Sequence, residues 1–389
     1  MPRTTRVLVL HNRYRTEGGE ERAVELQAAA LTRAGVDHRL LERRSGDTPR
    51  ARAARALLRG GEDPAEVAAA VRDLEADVVH VHNLQPLLGP RALAAARGAG
   101  ARVVAQLHNF RLFCAIGVAS RDGAPCFRCH HRRTLPGLVH NCRRSLPEGA
   151  VYAAGLALHQ PGTVAAVDAF VVPSTSTREQ VVRLGLPRER VAVVRHYLPD
   201  AAFAEDSLAS AGGYALVTAR LSEEKGVDVA IRAAALTGVP LRVAGDGPER
   251  AALARLAEDL GAPVEFLGRA DRAALAELLR GAAVVLVPSR FHETAGYAAM
   301  EAMAAGVPVL ASDLGALPET VGEERCVPMG DAEALAGRLA ELWAQPSLRR
   351  EQGRLLIERA RERHSEERYL RELLELYGRA GQASVLTAA

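Results

Sequence analysis

Lysine is almost missing. Of the 50 basic side chains in this 389-residue chain, Lys225 alone is lysine and the other 49 are arginine. Asparagine is nearly as scarce, at Asn12, Asn83, Asn109 and Asn141, each directly after a histidine. Aromatic residues make up 4% of the chain, with one tryptophan, Trp343. No apolar run approaches the roughly 18 residues a membrane span requires, and no leader-like stretch precedes the first strand-like segment at Arg6. A cytoplasmic protein is expected, at most resting peripherally on the inner membrane surface. Acids and bases nearly cancel, leaving a formal net charge of +3, which is small for a dedicated nucleic-acid binder of this size. With 48% apolar and 25% charged residues, disorder and fibrous structure are excluded. Alanine- and arginine-rich usage fits a GC-rich bacterial genome, where arginine replaces lysine wherever either serves. Lys225 has survived that pressure, and a compact ammonium fits where a planar guanidinium fork does not.

The length exceeds what one hydrophobic core usually serves. Strand-length apolar runs alternate with amphipathic helical stretches, the pattern of parallel α/β sheet. Strands are expected near Arg6–Leu10, Asp77–His82, Arg102–Leu107, Asp168–Pro173 and Arg190–Arg195, with helices at Glu20–Arg33, Pro64–Glu75 and Pro90–Arg97. The small and polar run Ala201–Gly213 reads as a linker. The alternation then restarts with Tyr214–Ala219, Leu241–Ala244, Val264–Leu267, Ala283–Val287 and Pro308–Ala311. This predicts two Rossmann-like domains, 1–200 and 201–364, with a closing helix at 365–380 that returns to the first. The rhythm breaks over 110–148, where four of the five cysteines gather and no acid occurs from Gly123 to Pro147.

In open α/β sheets, ligands collect beyond the carboxyl ends of the strands. Three pairs, His11-Asn12, His82-Asn83 and His108-Asn109, fall at such ends. Gly18-Gly19 precedes a helix whose N-terminus suits an anion. In the second half, Arg220 and Lys225-Gly226 sit where a strand gives way to a helix. Gly245-Asp246-Gly247-Pro248 is a glycine-rich strand-to-helix turn, but Arg250 breaks the dinucleotide fingerprint G-x-G-x-x-G, so a nicotinamide dehydrogenase is disfavoured. A strand then ends at Pro288, and a helix runs from near Gly296 to its cap at Gly306. Glu293 stands before that helix and Glu301 inside it. Carboxylates beside open helix-terminal amides suit a ligand carrying both phosphates and hydroxyls.

Arg220…Lys225-Gly226, Gly245-Asp246-Gly247-Pro248 and Glu293-x7-Glu301, followed by Ala-Met-Ala-Ala-Gly-Val-Pro-Val, resemble the family 4 retaining glycosyltransferases of GT-B fold. Gly18-Gly19 and His108 match the N-terminal half of that family. The resemblance implies two doubly wound domains facing a central cleft, and retaining transfer of a sugar from a nucleoside diphosphate, with UDP the default, to an acceptor hydroxyl. It gives Arg220 and Lys225 the diphosphate and Glu301 the ribose hydroxyls. Glu293, with the amides of Thr294, Ala295 and Gly296, takes the donor sugar, and His108 the sugar or its phosphate. Gly18, Gly19 and Gly245 join the donor-binding set. No D-x-D motif occurs, so no divalent metal is expected for catalysis.

Cys114-x11-Cys126-x2-Cys129-x12-Cys142 admits either a structural zinc or free thiols. The acceptor is expected to be a glycan, a lipid-linked saccharide or a small natural product, approached from the side of the 110–148 insertion; no nucleic acid is expected. A nucleotide-sugar epimerase of the same fold is the alternative. A zinc-dependent nucleic-acid-binding module would leave every C-terminal motif unexplained.

Overall fold

The computed structural model describes residues 5–14 and 18–379. The chain divides into two compact units: residues up to 119, 126–196 and from 367 onward form unit 1, and 120–125 with 197–366 form unit 2.

Strands β1 (Val7–Arg13), β2 (His38–Arg44), β3 (Val78–Asn83) and β4 (Arg102–Gln106) precede a short antiparallel hairpin, β5 (Ser120–Arg121) and β6 (Ala124–Pro125). β7 (Ala169–Val172) and β8 (Val191–Val193) follow. Six of these form the sheet of unit 1 in the order β2-β1-β3-β4-β7-β8, every pair parallel. Charge hides β2 from a reading by apolar runs: its sequence HRLLERR buries only Leu41, as the sheet's edge permits. The closing helix, Glu366–Arg379, belongs to unit 1 from residue 367 on and buries Tyr369, Leu373 and Tyr377. Ala380, the last residue expected in it, lies outside the described residues.

Unit 2 repeats the plan with β9 (Tyr214–Thr218), β10 (Leu241–Ala244), β11 (Val264–Gly268), β12 (Ala282–Val287), β13 (Val309–Ser312) and β14 (Cys326–Val327). Its all-parallel order is β11-β10-β9-β12-β13-β14. Successive residues enter opposite layers: Val284 and Leu286 join one apolar cluster, Val285 and Val287 the other. Both faces of the sheet are therefore covered by helices, which is why its strands read as unbroken apolar runs. The strand order reverses between β9 and β12 in unit 2 and between β1 and β3 in unit 1. Ligands of doubly wound sheets lie at such switch points.

Three expectations need correction. Unit 2 begins at Tyr197, not at 201, because Leu198 is fully buried in its apolar cluster and its N–H bonds to His364 O at 2.9 Å. The segment 201–213 is not a slack linker. Arg349 holds the carbonyls of Ala209 and Ser210 at 2.9 and 3.0 Å, and Ser207 is buried. The insertion is not simply irregular: Phe110 and Phe113 are buried in the unit 1 core, a short helix occupies Leu135–Val139, and a long one starts at Leu146. Among the described residues no helix is long and apolar enough to cross a membrane.

Bare backbone brings the two switch-point loops of unit 2 together. A Cβ at Gly226 would lie 2.0 Å from Pro288 O, and Gly226 also has φ +64°, in the left-handed region. Gly238 shares the left-handed conformation at φ +70° but has open space around it. Gly238→Ala is expected to cost about 1–2 kcal/mol, the left-handed penalty alone. Gly226→Ala adds a steric clash and is expected to cost clearly more. Denaturation followed by the fluorescence of Trp343, in unit 2, checks the ranking; equal losses would contradict the close-approach argument.

Candidate functional site

At the unit 2 switch point, the loop after β9 carries Arg220 to Gly226 and the loop after β12 carries Pro288 to Gly296. Lys225 Nζ donates to Glu293 Oε1 at 2.7 Å, and Ser289 Oγ donates to the same oxygen at 2.9 Å. The ammonium also lies 4.6 Å from the centroid of the Phe291 ring. Arg290 N–H donates to Glu224 O at 2.8 Å, and the Arg290 guanidinium pairs with Asp228 at 2.6 Å, closing the second link between the loops. Arg220 is exposed and paired with Glu224 at 2.6 Å. Burial opposes ionisation of Glu224, but bonds from Ser222 and Arg220 outweigh it and hold the carboxyl below its ordinary range.

Gly245 and Gly247 follow β10, where a Cβ would meet Ala219 O at 1.8 Å and Leu221 O at 2.3 Å respectively. They let the loop after β10 lie directly against the loop after β9. Thr294, Ala295 and Gly296 lead into the helix Tyr297–Ala304, with Gly296 as its left-handed N-cap at φ +78°. Glu301 lies, half-buried, in the second turn of that helix. The structure thus joins Lys225 to Glu293 directly and places Arg220, Gly245, Thr294, Ala295, Gly296 and Glu301 on the elements around them.

In unit 1 the rim is histidine-rich beyond what the three His-Asn pairs suggest. His80, His82, His108 and His196 form a column with ring centroids 4.8, 5.1 and 5.4 Å apart in turn, and His11 meets His82 edge-on at 6.3 Å. His82 Nδ1 and His108 Nε2 share a hydrogen bond of 2.8 Å. At the other end, Gln27 Nε2 donates to the Tyr377 hydroxyl at 2.9 Å, which lies 2.8 Å from His80 Nδ1. His80 and His196 escape a reading of strand ends: one sits inside β3 and the other beyond β8. Their signal is chemical, since a buried imidazole needs a partner. Two of the asparagines, Asn12 and Asn83, serve the scaffold instead. Asn12 bonds Ser45 and the Leu87 N–H, and Asn83 bonds Asn12 O and the Gln85 N–H. Gly18 is the N-cap of the helix Gly19–Arg33, and its N–H donates to Glu21 Oε2 at 2.8 Å.

No disulfide joins the four insertion cysteines. Burial, together with the neighbouring Cys114, Cys142 and Cys126, pushes the Cys129 thiol up to about 11. Among the described residues, however, no three His, Cys, Asp or Glu side chains are arranged to hold a metal ion. Cys129 Sγ turns to Thr134 O at 3.9 Å, beside Gly137.

Comparison with known proteins agrees with this architecture. Residues 17–197 match the model of Glycosyltransferase Family 4, and residues 202–363 match that of Glycosyl transferases group 1. The chain belongs to glycosyltransferase family 4. HepE of Anabaena, solved in complex with UDP, superposes with a TM-score of 0.68 at 18% identity over 96% of this chain and all of that one. Sucrose-phosphate synthase of Thermosynechococcus elongatus gives 0.71 at 20% identity over 97% of this chain and all of that one. These likenesses establish the GT-B fold. Among curated relatives, a GDP-mannose-dependent phosphatidylinositol dimannoside mannosyltransferase of Mycobacterium tuberculosis is 45% identical over 26% of this chain and 28% of its own length. An exopolysaccharide phosphotransferase of Streptomyces coelicolor is 32% identical over 48% of this chain and 21% of its own. The chain spans only about a fifth to a quarter of these relatives' length.

The buried histidines make unit 1 acid-sensitive. Burial holds His80 at about 3, against an ordinary 6.5, and keeps His82 and His108 well below that value too. Below about pH 6.5 the unfolded chain takes up protons that the native column refuses, so stability present above 6.5 is lost as pH falls toward 3. His80→Gln is expected to flatten this slope, measured by urea denaturation under far-UV circular dichroism at several pH values. An unchanged slope would contradict the assignment.

Proposed function

We propose that this family 4 protein transfers a glycosyl group, with retention, from a nucleoside diphosphate sugar to an acceptor hydroxyl. The observation that carries the reading is the Lys225–Glu293 pair at the unit 2 switch point, 2.7 Å apart and set before a helix N-terminus. A lone ammonium among 49 arginines matches a pocket where a point charge must approach a diphosphate closely. Lys225 and Arg220 offset the charge that grows on the leaving phosphate as the bond to the sugar breaks. Releasing Lys225 from Glu293 toward the phosphate leaves that carboxylate to the sugar hydroxyls, and Glu301 accepts from the ribose. For unit 1, the reading gives His108 a hydrogen bond to the glycosyl group or its phosphate.

The step balances without a protein nucleophile. The bond from C1 to the phosphate oxygen breaks, the acceptor oxygen bonds C1 on the same face, and its proton passes to the leaving phosphate. The nucleotide is taken as UDP, in keeping with the UDP complex of the Anabaena relative; the mycobacterial relative uses GDP-mannose. The acceptor is taken as a saccharide, free or lipid-linked, or a small natural product.

Isothermal titration of the full chain against UDP-, GDP- and ADP-glucose tests the donor reading. Lys225→Ala and Glu301→Ala are each expected to weaken donor binding or turnover by about tenfold or more, the loss of one charge-assisted hydrogen bond. Lys225→Arg is expected to be impaired as well. Near-normal kinetics in both alanine variants would refute the site.

Transfer is expected to persist through brief EDTA treatment, because Arg220 and Lys225 supply the charge a divalent metal would supply. Loss on brief chelation, restored by magnesium or manganese, would overturn this. A slow loss restored by zinc would instead assign a structural zinc to Cys114, Cys126, Cys129 and Cys142.

A further inference from the structure

Two adjacent carboxylates at the head of the Gly19–Arg33 helix are used differently. Glu21 serves the backbone: its oxygens accept from the Tyr14 N–H at 3.2 Å and the Gly18 N–H at 2.8 Å. Glu20 has no such duty. It is 8% exposed, and its Oε2 accepts from Asn109 Nδ2 at 3.0 Å. The same Asn109 nitrogen reaches the Tyr14 hydroxyl at 3.3 Å, while Asn109 Oδ1 accepts from the Arg111 N–H at 2.8 Å. The Arg111 guanidinium lies 4.7 Å from the centroid of the Tyr14 ring.

Two buried polar atoms of this cluster, Glu20 Oε1 and Arg111 Nε, have no hydrogen-bond partner among the described residues. Buried polar atoms are normally satisfied, and exceptions point to a missing ligand or water. Burial pushes the Glu20 carboxyl up to about 8, with Arg111 opposing and Glu21 adding to the rise. Among the described residues, those two and Tyr14 are the titratable and charged groups that face it. At neutral pH Glu20 is therefore mostly the neutral acid. Oε2 accepts from Asn109, which leaves Oε1 as the oxygen able to carry the proton.

We propose that Glu20, Tyr14, Asn109 and Arg111 form a subsite for a sugar oxygen, which accepts from Oε1–H of Glu20. Only the identification of the oxygen as a sugar's rests on the glycosyltransferase reading. That oxygen belongs either to the acceptor or to the glycosyl part of the donor. Ionisation of Glu20 removes one donor and sets a negative oxygen against the ligand, so affinity falls on the alkaline side.

The test uses the full chain with methyl α-D-mannopyranoside and myo-inositol by saturation-transfer NMR, and UDP-glucose by titration calorimetry. Each is measured at about pH 6.5 and about pH 9.5, to either side of the Glu20 transition. The wild type is expected to bind at least one probe at the lower pH and about fivefold or more weakly at the higher. Glu20→Gln keeps a donor that does not ionise, and is expected to bind at both. Glu20→Leu is expected to lose about tenfold at the lower pH, the loss of one hydrogen bond to a buried partner. Loss confined to the simple sugars assigns the oxygen to the acceptor, and loss confined to UDP-glucose assigns it to the donor. Wild-type affinity in Glu20→Leu, equal alkaline loss in Glu20→Gln, or no binding of any probe by the wild type overturns the subsite. Binding of UDP-glucose without any effect of Glu20 leaves the donor reading intact and refutes this inference alone.

Discussion

The Lys225–Glu293 contact ties the loop after β9 to the loop after β12 at the point where the strand order of unit 2 reverses. Both side chains are largely withdrawn from water, so each charge depends on the other for compensation, and removing either leaves an uncompensated partner. The pair forms only because the two loops can touch. Gly226 has no Cβ to strike Pro288 O, and Gly315 has none to strike the Glu293 backbone, where a Cβ would fall 2.6 Å from N and O. Ala316 N–H then donates to Glu293 O at 2.8 Å and holds that loop in place. The chemistry of the site is therefore bought with bare backbone on both sides of one ion pair.

Unit 1 rests on neutral groups instead. Its histidine column is kept uncharged by burial, and so is Glu20, but the two oppose each other across the pH scale. The column loses stability as pH falls below about 6.5. Glu20, raised from 4.5 to about 8, refuses to ionise where the unfolded chain would, so its contribution is lost as pH rises from about 4.5 to 8. A base held low and an acid held high both destabilise when a charge is forced on them.

Much of the scaffold was legible because buried parallel strands leave little choice of residue: the apolar runs of β1, β3, β4, β7, β9, β10, β12 and β13 show through any surface composition. The loops at the unit 2 switch point draw notice for another reason, since Lys225 is the one lysine beside 49 arginines. What escaped was set by contacts distant in sequence. β2 is charged because it is an edge strand. The helix Arg50–Arg59 is hidden by its arginines. His80 meets Tyr377 from nearly 300 positions away, and Glu20 meets Asn109 from 89 positions away. The cysteines show the converse: their spacing left structural zinc and free thiols open, and among the described residues no three ligating side chains are grouped to choose between them.

Glycines separate the demands of folding from the demands of a ligand. Gly226, Gly245, Gly247 and Gly315 are each required by a neighbouring backbone that a Cβ would strike. Their identity is explained without any ligand, so Gly245 alone says nothing about donor binding. Gly18 is different. Its φ of −155° is extended backbone open to any residue, and a Cβ there would meet nothing closer than Glu21 Oε2 at 3.7 Å. Neither its conformation nor its packing against the described residues calls for glycine at this position. It caps an exposed helix N-terminus beside the Glu20 cluster, where a side chain would stand between the amides and whatever approaches them.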